Sequence, residues 1–247
     1  MILLAILCSI SALQAQDKKE TTLFTNVKVF DGVDEKLLDA DVLVEGNLIQ
    51  QVAKGIKAPK GTIVIDGKGS VLMPGLIDAH WHTMYIGLPL STLVNGDMIE
   101  AAARAVPKAE AVLMRGFTTV RDLGGPSEGL KKIIDQGVIP GPRILPSGPG
   151  ISQTSGHFDY RDYQAIPENA SDPMSYWYRT RMFGLADGKD EMIKRVRENL
   201  RMGAAQIKLA TGGGVSSVYD PLDVAEFTLE EIKAAVDVAG DFNTYVT

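Results

Sequence analysis

From Leu76 to the last residue the chain alternates between β-rich runs and amphipathic helical runs, and few folds accommodate that rhythm. Strand-like runs fall at Leu76–His80, Thr118–Asp122, Ile144–Ser147, Gln206–Leu209 and Thr244–Thr247. Between them lie helical segments over Ile99–Arg115, with Asp97 as N-cap, Glu128–Gln136, closed by Gly137, and Asp190–Met202, closed by Gly203. A further helix opens on the capping box Thr228-Leu229-Glu230-Glu231 and runs to Ala239, closed by Gly240. Strands separated by helices pair in parallel, and right-handed crossovers curl such a sheet toward a (β/α) barrel. Four strand–helix units and a fifth strand make about half of an eightfold barrel, and Asn243–Thr247 lie inside what should be a central strand. The expected fold is α/β: the first half of a TIM (β/α)8 barrel over residues 74–247, truncated at strand five. A complete open α/β sheet is the alternative.

A small β unit precedes the barrel. Leu23–Phe30 is β-rich, Asp41–Glu45 and Leu48–Val52 flank the turn Gly46-Asn47, and Thr62–Asp66 is a third β-branched run. No helical period interrupts them, so residues 16–73 are expected to form the N-terminal part of a β-sandwich domain. Residues 1–15, MILLAILCSISALQA, are uncharged and mostly apolar, followed by the polar run Gln16–Glu20. This is the pattern of a secretory signal cut after Ala15, and it places the protein in the periplasm or outside the cell. The segment is too short for a stable membrane span, which needs about 20 apolar residues. Cys8 is the only cysteine, so the processed protein has neither disulfides nor cysteine chemistry.

A net charge of −6 leaves no basic excess to neutralise phosphates and argues against a nucleic-acid partner. Lys194, Arg195, Arg197 and Arg201 alternate with Glu191 and Glu198, the signature of a solvated helix face. The segment Leu72–His82 reads LMPGLIDAHWH. Side chains two apart share one face of a strand, so His80 and His82 project together. Two converging imidazoles suit a divalent ion such as zinc. Pro74-Gly75 breaks the chain just before, and Gly75-Leu76-Ile77 is small and apolar enough to be buried.

On the fourth barrel strand, Gln206-Ile207-Lys208-Leu209-Ala210 sets a lysine between apolar neighbours, ahead of Thr211-Gly212-Gly213-Gly214. Lysine is seldom buried without a partner. A protonated lysine is no metal ligand, but after reaction with CO₂ it is a carbamate that can bridge two cations. Between strands three and four, residues 148–186 hold seven of the sixteen aromatics: Phe158, Tyr160, Tyr163, Tyr176, Trp177, Tyr178 and Phe183. A loop of that length after a barrel strand lies over the active-site face. Asn169-Ala170-Ser171 fits a glycosylation acceptor pattern.

Taken together, these segments resemble the amidohydrolase superfamily of metal-dependent hydrolases, from about Thr22 to the last residue. The most specific part is Pro74-Gly75-Leu76-Ile77-Asp78-Ala79-His80-Trp81-His82, joined by Gly116–Asp122 on strand two and by Lys208 on strand four. Ile207-Lys208 before the glycine run and Thr154-Ser155-Gly156-His157 after strand three look like the imidazolonepropionase-like branch that includes prolidase-like dipeptidases. The resemblance implies that His80 and His82 bind one metal, that carbamylated Lys208 bridges to a second, and that His157 contacts the substrate's scissile group. The expected cofactors are two zinc ions. Two further histidines on strands five and six and an aspartate on strand eight are not in this sequence, and the first would fall just beyond Thr247.

The expected reaction is metal-assisted hydrolysis of C–N bonds in dipeptides or small cyclic amides, with the fragment alone inactive. An imidazolonepropionase- or deaminase-like hydrolase is a second reading, and an inactive truncated pseudoenzyme a third. The partner is a small-molecule or dipeptide substrate, with a homo-oligomer left open.

Overall fold

The computed structural model describes residues 20–89, 91–92, 96–161 and 179–247. The signal segment 1–15 lies outside them, as do Asn169 and four of the loop aromatics, Tyr163, Tyr176, Trp177 and Tyr178. The chain divides into two compact units, Met1–Pro74 and Gly75–Thr247.

The first unit holds β1 (Thr21–Val29), β2 (Leu38–Glu45), β3 (Leu48–Ala53), β4 (Ile63–Asp66) and β5 (Val71–Leu72). They form one sheet in the order β3-β2-β1-β4, with β5 also on β1. Gly46-Asn47 links β2 to β3 in an antiparallel hairpin, while β4 and β5 run parallel to β1. Asn26, at a φ of 51°, sits in the bulge where β1 shifts register against β2. Ile63, Val64 and Ile65 are all exposed, so β4 carries apolar side chains on both faces and no second layer covers them among the described residues.

In the second unit, β6 (Leu76–Trp81), β7 (Phe117–Asp122) and β8 (Arg143–Leu145) form a parallel sheet in that order. The crossovers are α1 (Met98–Met114) and α2 (Glu128–Asp135). A second parallel pair joins β9 (Gly150–Ser152) to β10 (Phe183–Leu185), and α3 (Lys189–Arg201) and α4 (Leu229–Asp241) follow. The unit is a mixed α/β fold whose paired strands all run parallel.

Local chemistry accounts for the helices. The Asp97 carboxylate accepts the N–H groups of Ile99 and Glu100 at 2.7 and 3.0 Å and caps α1. Ala101, Ala105, Ala109 and Val112 then form its buried stripe at helical spacing. Pro107 lies inside α1 on its exposed side, where water can satisfy the carbonyl it leaves without a donor. The capping box of α4 forms as expected, but the helix runs on through Gly240 to Asp241 instead of closing there. On α3, Lys194, Arg197 and Arg201 are exposed opposite buried Met192, Val196 and Asn199.

The strands depart from expectation in three places. The third strand is shorter than expected: β8 ends at Leu145, before Pro146, which has no N–H to pair, and β9 starts only at Gly150, beyond the run expected at Ile144–Ser147. Residues 206–210 pair only through the isolated bridges Ile151↔Leu209 and Ile207↔Val246, with hydrogen bonds to both neighbours. Leu76 and Ile77 are exposed, Ile77 at 68%, because β6 is the edge strand of its sheet. Gly75 is small for a different reason from burial. A Cβ there would sit 2.0 Å from the Thr118 hydroxyl.

Two apolar clusters fill the unit. One packs α1 against Val120, Ile144, Phe158 and Phe183, and the other packs α3 and α4 against Ile151, Ile207 and Leu209. No helix among the described residues is long and apolar enough to cross a membrane.

Candidate metal centre and its surroundings

His80 stands near the end of β6 and His82 just beyond it, with ring centroids 5.2 Å apart in an edge-on arrangement. The Asp78 carboxylate accepts the His80 N–H at 2.9 Å, which turns the chain at the strand end. His82 stacks on Tyr85 at 5.5 Å, and the Tyr85 hydroxyl donates to the Met182 carbonyl.

The electrostatics favour neutral imidazoles at this spot. Burial lowers the pKa of His82 to about 4, aided by the charges of His80, Lys208 and His157. Burial likewise lowers His80, with Lys208 and Arg121 adding to it and Asp78 opposing. Lys208 is half-buried, and its own pKa is lowered by burial and then by Arg121. Lys208 therefore shares one electrostatic neighbourhood with both histidines. His157 reaches the same neighbourhood from the turn after β9.

The donors suit a divalent cation in part. His82 Nδ1 is buried without a hydrogen-bond partner among the described residues, and a buried ring nitrogen left unpaired is costly unless something is meant to meet it. Both imidazoles are biased toward the neutral form that binds metals. Among the described residues, no three histidine, cysteine or acidic side chains converge. Two nitrogens fall short of the three protein ligands of a catalytic zinc site. Lys208 is the neighbouring group that could add an oxygen donor, as a carbamate.

Several polar residues around this centre had no role assigned from the sequence. Asp122, at the end of β7, is fully buried and accepts the Thr83 N–H at 2.8 Å, next to His82. Burial pushes its carboxyl up to about 7. Gln206 is buried two residues before Lys208 and donates to the carbonyls of Asp122 and Leu145 at 3.0 and 3.1 Å. That one amide joins the tips of β7 and β8 to the lysine-bearing segment. Arg121 donates to the Ala79 carbonyl at 2.7 Å and to the Tyr245 hydroxyl at 3.3 Å.

His157 sits among residues from the 211–227 loop. Its Nδ1 lies 2.6 Å from the Ser217 hydroxyl and 3.9 Å from Asp220 Oδ2. Its backbone N–H donates to Glu226 at 2.8 Å, and Glu226 accepts the Ser152 hydroxyl at the same distance. The only sequence signal for this cluster was the glycine run. Gly214 passes so close to the imidazole that a Cβ would lie 2.3 Å from its ring.

The family model described as "Amidohydrolase family" matches residues 71–247. An ochratoxinase of Aspergillus niger is 31% identical over 245 aligned residues, 94% of this chain and 50% of that protein. A prolidase crystallised with N-methylphosphonate-L-proline superposes with a TM-score of 0.83 at 36% identity, over 92% of this chain and 55% of the other. A Xaa-Pro dipeptidase with bound methionine superposes with a TM-score of 0.78 at 28% identity, over 92% and 56%. The chain thus spans about half the length of the relatives it matches. By the extent of the family match and the likeness to these relatives, the chain belongs to the amidohydrolase family.

Proposed function

We propose that the full-length protein is a metal-dependent hydrolase of amide C–N bonds in dipeptides or small cyclic amides, and that this chain carries the first half of its catalytic barrel. One observation carries the reading. The rings of His80 and His82 converge 5.2 Å apart, and Lys208 and His157, more than seventy residues further along the chain, lie near enough to bias His82 toward its neutral form. The likeness to a prolidase and to a Xaa-Pro dipeptidase favours a peptide-like substrate.

On this reading His80 and His82 would hold one divalent ion, zinc by their donor type, and Lys208, carbamylated by CO₂, would supply oxygen donors to it and to a second. The family is generally metal-dependent. Bound there, two such ions lower the pKa of a water and polarise the scissile carbonyl. The remaining work belongs to side chains. The lowered pKa of Lys208 enlarges its share of neutral amine, the form that adds CO₂. His157 faces the substrate's scissile group. An aspartate beyond Thr247 passes a proton to the leaving nitrogen, and further ligands lie in the same missing half. Export by residues 1–15 places the activity in the periplasm or the medium.

Elemental analysis of the full-length protein should find about two equivalents of divalent metal. The variants His82→Ala and Lys208→Ala should lose metal and dipeptide hydrolysis together. An active protein free of metal would overturn the reading, and so would release of ammonia instead of amino acids across a panel of dipeptides and lactams.

A further inference from the structure

We propose that Asp220, acting with Ser217, is the positioning residue of His157: it holds Nδ1 toward the 211–227 loop and so presents Nε2 to the substrate's amide group. The inference rests on the reading of His157 as the residue that meets the scissile group.

The Asp220 side chain is only 1% exposed, although it belongs to a surface loop. Its Oδ2 accepts the Gly214 N–H at 3.0 Å and faces His157 Nδ1 at 3.9 Å, and its carboxyl group also meets that of Glu226. Burying an ionisable group that far is costly unless a charge or donor answers it. The nearest basic group is the imidazole. A carboxylate on the Nδ1 side favours a proton on that nitrogen, and the proton then has the Ser217 oxygen at 2.6 Å to donate to. Which ring nitrogen of a histidine is protonated follows from the bond its other nitrogen makes.

The rest of the cluster holds the ring in place. Glu226 anchors the His157 backbone N–H, and Phe158 packs edge-on to the ring with centroids 5.0 Å apart. Gly214 closes the remaining side, where no side chain would fit. The loop is pinned at its base by the Gly212↔Ala225 bridge and by the Glu226 N–H bonded to the Thr211 carbonyl at 3.1 Å. Nε2 has no hydrogen-bond partner among the described residues, and the side chain is 26% exposed. One nitrogen is therefore tied to the loop and the other is open to a ligand.

The test is ¹⁵N NMR of the full-length protein labelled at histidine, alongside Asp220→Asn, Ser217→Ala and His157→Gln. Asp220→Asn keeps an oxygen for the Gly214 N–H, so the loop stays closed while the charge is lost. In the wild type the His157 proton is expected on Nδ1 with Nε2 bare. In Asp220→Asn the population should move toward the Nε2–H form, and Ser217→Ala should shift it in the same direction. With Met-Pro as the kinetic probe, Asp220→Asn should lower kcat roughly tenfold to a hundredfold, the range seen for groups that orient site histidines, with KM within about threefold. A His157 spectrum unchanged in both loop variants would overturn the proposal. If His157→Gln keeps full activity, the role given to His157 fails, and the spectrum still decides whether Asp220 sets its tautomer.

Discussion

Asp122 shows how one residue can tie the stability of this unit to pH. It is fully buried, with Oδ1 on the Thr83 N–H at 2.8 Å and the Ser127 and Thr83 hydroxyls beside the carboxyl group. Burial holds its folded pKa at about 7, whereas an unfolded aspartate titrates near 3.9. Between about pH 4 and 7 the native state therefore keeps a proton that the unfolded state has lost. Stability falls as pH rises through that window and levels off above it. Asp122→Asn abolishes the titration and keeps an oxygen for Thr83. In the full-length protein the variant should match the wild type near pH 4 and exceed it at pH 8 by on the order of a few kcal/mol. Urea denaturation at both pH values checks this, and parallel pH profiles for the two proteins would remove Asp122 as the titrating group. The Gly116–Asp122 run pointed to the family but gave this residue no role, because an aspartate at a strand end is common and its burial depends on what packs over it. His80 and His82 drew attention because histidine is scarce here and a pair two apart on a strand is chemically specific. Lys208 drew attention by its apolar neighbours and, with His157, by the family resemblance.

At the scale of elements, the polar groups that join strands matter as much as the apolar stripes. Gln206 is buried and gives both amide protons to carbonyls at the tips of β7 and β8. Gln206→Leu would leave those carbonyls without their donor, at a cost of about 2–3 kcal/mol. An unchanged urea midpoint would show that water replaces the amide. The α4 capping box makes a smaller contribution. Thr228→Ala should cost about 1 kcal/mol, read from the same denaturation curve. Hydrogen bonds from the Thr228 and Gly188 N–H groups hold the Glu231 pKa below its usual value against a modest desolvation. Its contribution is present above the unfolded carboxylate range and is lost as pH falls through the folded value. Helices were read nearly to the residue, since caps and periodicity are local. Strands were read less well. One ended before Pro146, β10 arose inside a stretch with no period, and the lysine-bearing segment pairs through single bridges.

For the whole molecule, the chain spans about half the length of its relatives, and its sheets leave apolar side chains uncovered, among them Ile49 and Ile77, each 68% exposed. Expressed alone, the 247-residue chain should self-associate and be inactive, while the full-length protein stays discrete. Sedimentation velocity distinguishes the two, and a monomeric, active 247-residue chain would sink the half-barrel proposal. The sequence by itself determined the strand–helix alternation, the helix caps and the identity of the chemically specific residues, because each rests on short-range spacing and side-chain chemistry. Only the tertiary structure decided that Lys208 and His157 share the field of His82, that Asp122 and Gln206 are buried polar ties, and that Asp220 backs His157. Those relations join segments up to 126 residues apart, and they exist only once the strands have paired and water has been excluded between them.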